Sequence, residues 1–312
     1  MKPYVDAVVA ATGCEVDPSF PPVARRGTMT FRANCSGQSV AVKIATFGKA
    51  GAGLGFTPAS RLQHETVLLS DLRQKEGPWP ALVQAGAASA PALLEPECVY
   101  QMATWIEGQS IRDLLRPHRS DKESLRPLFS RVAINTFRAV AGLHAHGLLH
   151  GDLQPQHFLF GCDSGRSVVI DFGHARRSGE TDGHKYRGGM VHFVAPEIAK
   201  DILAKGFGEQ SVKADLFSTA SALFSTINGV LLPSYPKEFR PDAPWIELLK
   251  IVAACEFKSF ELYADRIDRN VLEILQACVM ADPQSRPDSA NQVLEMLGAP
   301  PAPDLAIISD RA

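Results

Sequence analysis

A chain of 312 residues exceeds what one ordinary hydrophobic core fills, so it reads as one large bilobal unit or two domains. Its 45% apolar and 21% charged residues place it with globular proteins and exclude the disordered and membrane-spanning classes. Lys and Arg number 32 against 34 Asp and Glu, and a net charge of -2 offers no field of one sign to nucleic acid or lipid headgroups, so any polyanion has to be held locally.

From Gly27 the segment GTMTFRANCSGQSVAVKIA predicts two strands joined by a turn at Ser36-Gly37. A glycine cluster follows (Gly48, Gly51, Gly53, Gly55) and reads as a mobile linker, after which Pro58 and Ser60 open a helix carrying Leu62, Glu65, Leu68, Leu69 and Leu72. Residues 81–105 look extended, with 98–102 the strongest strand. Apolar spacing predicts one long helix over 128–146, then short strands at Phe158-Leu159-Phe160 and Val168-Val169-Ile170. Helical periodicity then dominates at 213–228, 245–255, 271–280 and 290–297. Strands first and helices later argue for the α+β class and against a doubly wound sheet. The proline-rich tail 298–312 reads as disordered.

Cys14, Cys35, Cys98, Cys162, Cys255 and Cys278 include no close pair suited to zinc or a CxxC redox site, and reduced thiols in the cytoplasm are expected. Ala11-Thr12-Gly13-Cys14 has lipobox wording, but the apolar run before it is short and broken by Asp6. No run approaches the roughly 20 apolar residues of a spanning helix, so neither membrane nor nucleic acid is an expected partner.

Four separated segments carry chemistry: Val40-Ala41-Val42-Lys43, Glu65 within RLQHETVLLSDL, His150-Gly151-Asp152-Leu153-Gln154-Pro155-Gln156-His157, and Asp171-Phe172-Gly173. Their order and spacing resemble the protein-kinase-like superfamily, in its divergent bacterial-type Ser/Thr form. Ala195-Pro196-Glu197 matches the end of an activation segment, and Asp215 and Arg286 match the structural aspartate and arginine of the helical lobe. The resemblance covers about residues 20 to 297. It implies a two-lobed fold: a β-rich N-lobe over 1–103, a hinge at 104–107, and a helical C-lobe over 108–297.

What the resemblance implies for the site follows the physics of phosphoryl transfer, where positioning and cations around the phosphate oxygens do most of the catalysis. Lys43 would bind the α and β phosphates of ATP, anchored by Glu65, and Asp152 would orient the acceptor hydroxyl. Asp171 would ligate Mg2+, a hard cation suited to carboxylate and phosphate oxygen. Gly27, Met29, Ala41 and Leu159 would line the nucleotide pocket, with Thr104 and Ile106 offering backbone groups to the adenine edge. Ala103 falls at the gatekeeper position and implies open space behind the nucleotide.

The departures are specific. Pro22 and Ala24 stand where glycines are expected in the phosphate loop, and Pro22 has no amide hydrogen to aim at phosphate. His157 replaces the asparagine of the second metal position, and imidazole suits Mn2+ or other transition metals better than Mg2+. Gln154 replaces a lysine, Gly151 an arginine that would answer an activation-segment phosphate, and Met190 a threonine. Three functions remain open: an ATP-dependent kinase acting on Ser or Thr hydroxyls of a protein or peptide, a nucleotide-binding pseudokinase or scaffold, and a small-molecule phosphotransferase. Pro22, Ala24, Gln154 and His157 favour the second, the His-Gly-Asp wording the third, and the retained charged groups together with Glu197 and Arg286 the first.

Overall fold

The computed structural model describes residues 2–25, 27–47, 57–73, 75, 77–90, 93, 97–161, 165–180, 186–236 and 243–302. The glycine cluster read as a linker, Cys162 and the tail from 303 onward lie outside these residues. The chain divides into two compact units, Met1–Ile106 and Glu107–Ala312.

The first unit begins with a helix, α1 (Lys2–Thr12), that periodicity over so short a stretch does not announce. Tyr4, Val5 and Val8 point one way from it into a core of Met29, Phe31, Ala33, Val40, Val42 and Ile44. The sheet comprises β1 (Glu15–Val16), β2 (Val23–Arg25), β3 (Thr28–Cys35) and β4 (Gln38–Thr46), then, after α2 (Pro58–Asp71), β5 (Leu82–Ser89) and β6 (Glu97–Thr104). Its order is β1-β3-β4-β6-β5, with β2 also paired to β3. Thr57 caps α2, its side chain accepting from the Ser60 amide, and Pro58 occupies the first turn, where its missing N–H costs nothing.

The expectation of six reduced thiols is corrected. β1 folds back on β3 with Glu15 opposite Asn34, which brings Cys14 and Cys35 to a Cα separation of 4.5 Å, and they form a disulfide across 21 residues of sequence. Cys14 is thereby buried and bonded, so the lipobox wording carries no meaning in this fold. No helix among the described residues is long and apolar enough to cross a membrane.

The second unit opens with β7 (Gly108–Ser110), α3 (Ile111–Leu115) and α4 (Lys122–Ala145). α4 starts six residues before the apolar run that announces it, because Asp121 caps it and Pro127 falls early enough to be tolerated. Next come β8 (Leu148–Leu149), β9 (Phe158–Gly161), β10 (Ser167–Val169) and β11 (Arg176–Arg177), with β10-β9-β7 forming one small sheet and β11-β8 another. α5 (Pro196–Lys205), α6 (Val212–Asn228), α7 (Trp245–Ala253), α8 (Arg269–Cys278) and α9 (Ala290–Met296) complete it. α6 is buried from Ala214 to Ile227 and forms the centre of the unit. A β-rich unit followed by a mainly helical one is the α+β, two-lobed kinase-like fold that the order of motifs implies.

Arg286 closes this unit. Its guanidinium is fully buried and meets Glu197 in two parallel bonds of 2.7 Å, with further bonds to the carbonyls of Met280 and Lys213 and the Phe217 ring 5.0 Å away. Planar fork-to-carboxylate geometry is what a lysine could not reproduce.

Candidate active site

In the first unit Lys43 lies on β4 and Glu65 on α2. Lys43 Nζ donates to both carboxylate oxygens of Glu65, at 2.9 and 2.8 Å. Glu65 is only 5% exposed, so its charge is compensated locally or not at all. Gln101 on β6 sits opposite Lys43 in register, donates to Glu65 Oε1 at 3.3 Å and accepts from Thr66 Oγ1 at 2.8 Å. Sequence reasoning missed Gln101, whose strand alternation alone marks it as facing the lysine.

Register also corrects one pocket residue. The two-residue turn Ser36-Gly37 pairs Thr30 with Lys43 and Arg32 with Ala41, so Met29 faces away from both, into the core beside Ile44. Thr28, Thr30 and Arg32 hold the lysine-bearing face instead. The Arg32 guanidinium lies 5.6 Å from the Phe20 ring and 5.1 Å from the Trp105 ring, with Asp17 3.4 Å from its Nε. Thr104 donates its amide to Ala81 O, and Trp105 its amide to Ser39 O. Thr104 therefore has no amide donor left for an adenine edge. Ile106 ends the unit, half-buried.

Gly27 sits in the turn linking β2 to β3 at φ +83, and a Cβ there would come 2.5 Å from Pro58 Cγ. Glycine is needed here for the turn and for the approach of α2.

In the second unit one loop gathers the remaining candidates. Asp215, in the first turn of α6, accepts from the amides of His150 (2.8 Å) and Gly151 (3.0 Å) and from His144 Nε2 (3.1 Å). The His150 ring accepts from the Asp152 amide through Nδ1 and donates through Nε2 to Ile170 O at 3.1 Å, with Phe172 packed on its edge. Asp152 is thus held by its own backbone. Its Oδ2 accepts from Gln154 at 3.3 Å and its Oδ1 from the Met190 amide at 2.6 Å.

His157 donates from Nδ1 to Asp152 O at 2.7 Å, which leaves Nε2 facing Asp171 Oδ2 at 3.3 Å and Gln154 Nε2 at 3.1 Å. Asp171 adopts a left-handed backbone, φ 69 and ψ 70, a conformation costly for a non-glycine residue. Its side chain is 42% exposed. Leu159 is half-buried on β9, between Ser110 and Val168 in register.

Residues 35–297 match the family described as the protein kinase domain. The chain belongs to the protein kinase family. It is 30% identical over 166 residues to a probable serine/threonine-protein kinase of Saccharomyces cerevisiae, covering 51% of this chain and 15% of that protein. It is 23% identical over 205 residues to a human serine/threonine-protein kinase, covering 63% and 28%. A probable serine/threonine-protein kinase of Clostridium perfringens is 24% identical over 202 residues, covering 62% and 26%. The matched stretches thus span less than a third of these relatives' own lengths.

Within this kinase domain Gly151 is where a side chain has no room. Its φ is +74, and a Cβ would lie 1.8 Å from Gln210 Nε2, which itself donates to His174 O at 2.7 Å. Gln210 and Tyr186, whose hydroxyl donates to Gly151 O, were not foreseen, since neither belongs to a motif.

The buried His150 ring is expected to make the kinase domain acid-sensitive. Burial first, and the neighbouring His157 second, push its pKa down to about 4, against the pull of Asp215, Asp152 and Asp171. A ring held neutral in the fold contributes fully above its unfolded pKa near 6.5, and that contribution is lost as pH falls from there towards about 4. The expected loss across this window is about 3 kcal/mol, read as a falling urea midpoint between pH 7 and pH 4, and His150→Gln should lack that part of the dependence.

Proposed function

We propose that the chain is an ATP-dependent kinase transferring the γ-phosphoryl group to Ser or Thr hydroxyls of a protein or peptide. The observation that carries this reading is the Lys43–Glu65 pair: a lysine held at 2.8–2.9 Å by a nearly buried glutamate is preorganised for phosphate.

In this reading Lys43 grips the α and β phosphates, and Asp152 Oδ2 orients the acceptor hydroxyl and takes its proton. Ala41 and Ile106 contribute apolar surface of the first unit to nucleotide binding, and Gly27 shapes the turn nearest the phosphates. Asp171, with an exposed carboxylate, fits a hard divalent cation such as Mg2+. His157 Nε2 is a softer donor than the oxygen ligands Mg2+ prefers, which makes Mn2+ the alternative to Mg2+ at this site. When bound, the cation neutralises charge on the phosphate oxygens. The cytoplasm is the proposed compartment, and there Cys14–Cys35 would be a reversible bond.

The test is incubation with labelled ATP and either Mg2+ or Mn2+. Phosphoryl transfer or ATP hydrolysis is expected, abolished by Asp152→Asn and by Asp171→Asn, with His157→Asn shifting preference from Mn2+ towards Mg2+. Nucleotide-dependent thermal stabilisation without turnover would instead support the pseudokinase reading, which the phosphate-loop Pro22 favours.

A further inference from the structure

We propose that Gly189 and the backbone amide of Met190 form a positioning clamp on the Asp152 carboxylate, holding Oδ1 so that Oδ2 is presented to the acceptor hydroxyl. The inference rests on the kinase reading above and deepens it. The family resemblance leads one to expect a hydroxyl at position 190, and methionine has none. The donor here is the main chain: Met190 N–H reaches Asp152 Oδ1 at 2.6 Å.

That approach explains the residue before it. A Cβ on Gly189 would lie 2.1 Å from Asp152 Oδ1 and 2.5 Å from Cγ. Gly189 does not have a positive φ, so its conformation does not demand glycine. The space does.

The clamp is held from both sides. Upstream, the Tyr186 hydroxyl accepts from the Gly189 amide at 3.1 Å while donating to Gly151 O, which ties the segment to the loop that carries Asp152. Burial, with Asp152 and Asp215 nearby, raises the tyrosine pKa, so the hydroxyl keeps its proton. Downstream, Phe193 N donates to Met190 O at 2.9 Å, and Ser218 on α6 donates to Phe193 O at 2.7 Å. Val191 and Phe193 are buried, which fixes the direction of the amide between them and Gly189. A backbone donor of this kind cannot rotate away as a threonine hydroxyl can, and it is unaffected by the side chain at 190.

Met190 has φ -66, the value a proline ring imposes, so Met190→Pro removes one N–H without bending the chain. The ring Cδ then stands where the hydrogen pointed at Asp152. Steady-state kinetics of Met190→Pro and Gly189→Ala should show kcat lowered about 100-fold with KM for ATP unchanged, as expected for a misplaced carboxylate. Met190→Leu, which keeps the amide, should restore what Met190→Pro loses. An undiminished kcat in Met190→Pro, or an equal loss in Met190→Leu, overturns the clamp.

A second measurement needs no turnover. In a thermal-melting double-mutant cycle with Asp152→Ala, the drop in Tm caused by Met190→Pro should largely disappear once the carboxylate is gone. Equal drops in both backgrounds overturn the clamp. A parent chain that transfers no phosphate overturns the kinase reading, and the melting cycle then still decides whether the clamp exists.

Discussion

Asp215→Ala is expected to destabilise the second unit by about 4 kcal/mol and to abolish turnover, although the residue touches no substrate. The carboxylate is 2% exposed and carries three donors: the amides of His150 and Gly151 and the His144 ring. Removing it strands all three in an apolar interior, and an unsatisfied buried donor costs roughly 1–3 kcal/mol. Burial pushes the Asp215 pKa up, but the His144 bond and charge and the His150 amide outweigh that and hold it below the usual carboxylate range. The group therefore stays ionised in the fold, and its contribution, complete above the unfolded pKa near 4, fades only as pH falls through the lower folded value. Urea unfolding at pH 7 measures the loss, and a change under about 1 kcal/mol would contradict the role assigned here. His144→Ala removes a donor along with its need, so it should cost much less.

The loop from His150 to His157 was legible as a motif because it is written in contiguous letters. His150 to His157 and Asp171 to Gly173 sit in short segments whose spacing alone constrains what can bond to what. Strand positions were legible for a similar reason: β3, β4 and β10 follow runs with β-branched residues, and β9 follows the apolar run Phe158-Leu159-Phe160. Other features depend on parity or on distant pairing, which a linear reading does not supply. Met29 was expected beside the nucleotide, but one residue fewer or more in the Ser36-Gly37 turn exchanges the faces of β3, and only the register decides. Cys14 and Cys35 are far apart in sequence, and they meet because a two-residue strand folds back. α1 has only eleven residues, and its apolar side becomes evident once the sheet face it covers is known. Gly189 looked like an ordinary loop glycine, since the carboxylate it accommodates lies 37 positions earlier in the chain.

Lys43→Met is expected to cost about 3–5 kcal/mol, the range for a buried charge that loses its partner. Glu65 would be left with only the Gln101 amide at 3.3 Å, and water cannot easily reach a side chain 5% exposed. The double variant Lys43→Met/Glu65→Gln removes the stranded charge and should recover most of that loss, because deleting both charges is far less costly than deleting one. Nucleotide response should behave differently. The kinase reading assigns phosphate binding to the ammonium itself, so neither variant should show the thermal stabilisation by ATP and Mn2+ expected of the parent chain. Denaturant unfolding read beside nucleotide-dependent melting separates the two roles. Stability that fails to return in the double variant would mean the pair is held by more than charge balance, and an undiminished ATP shift in Lys43→Met would mean the phosphates are gripped elsewhere.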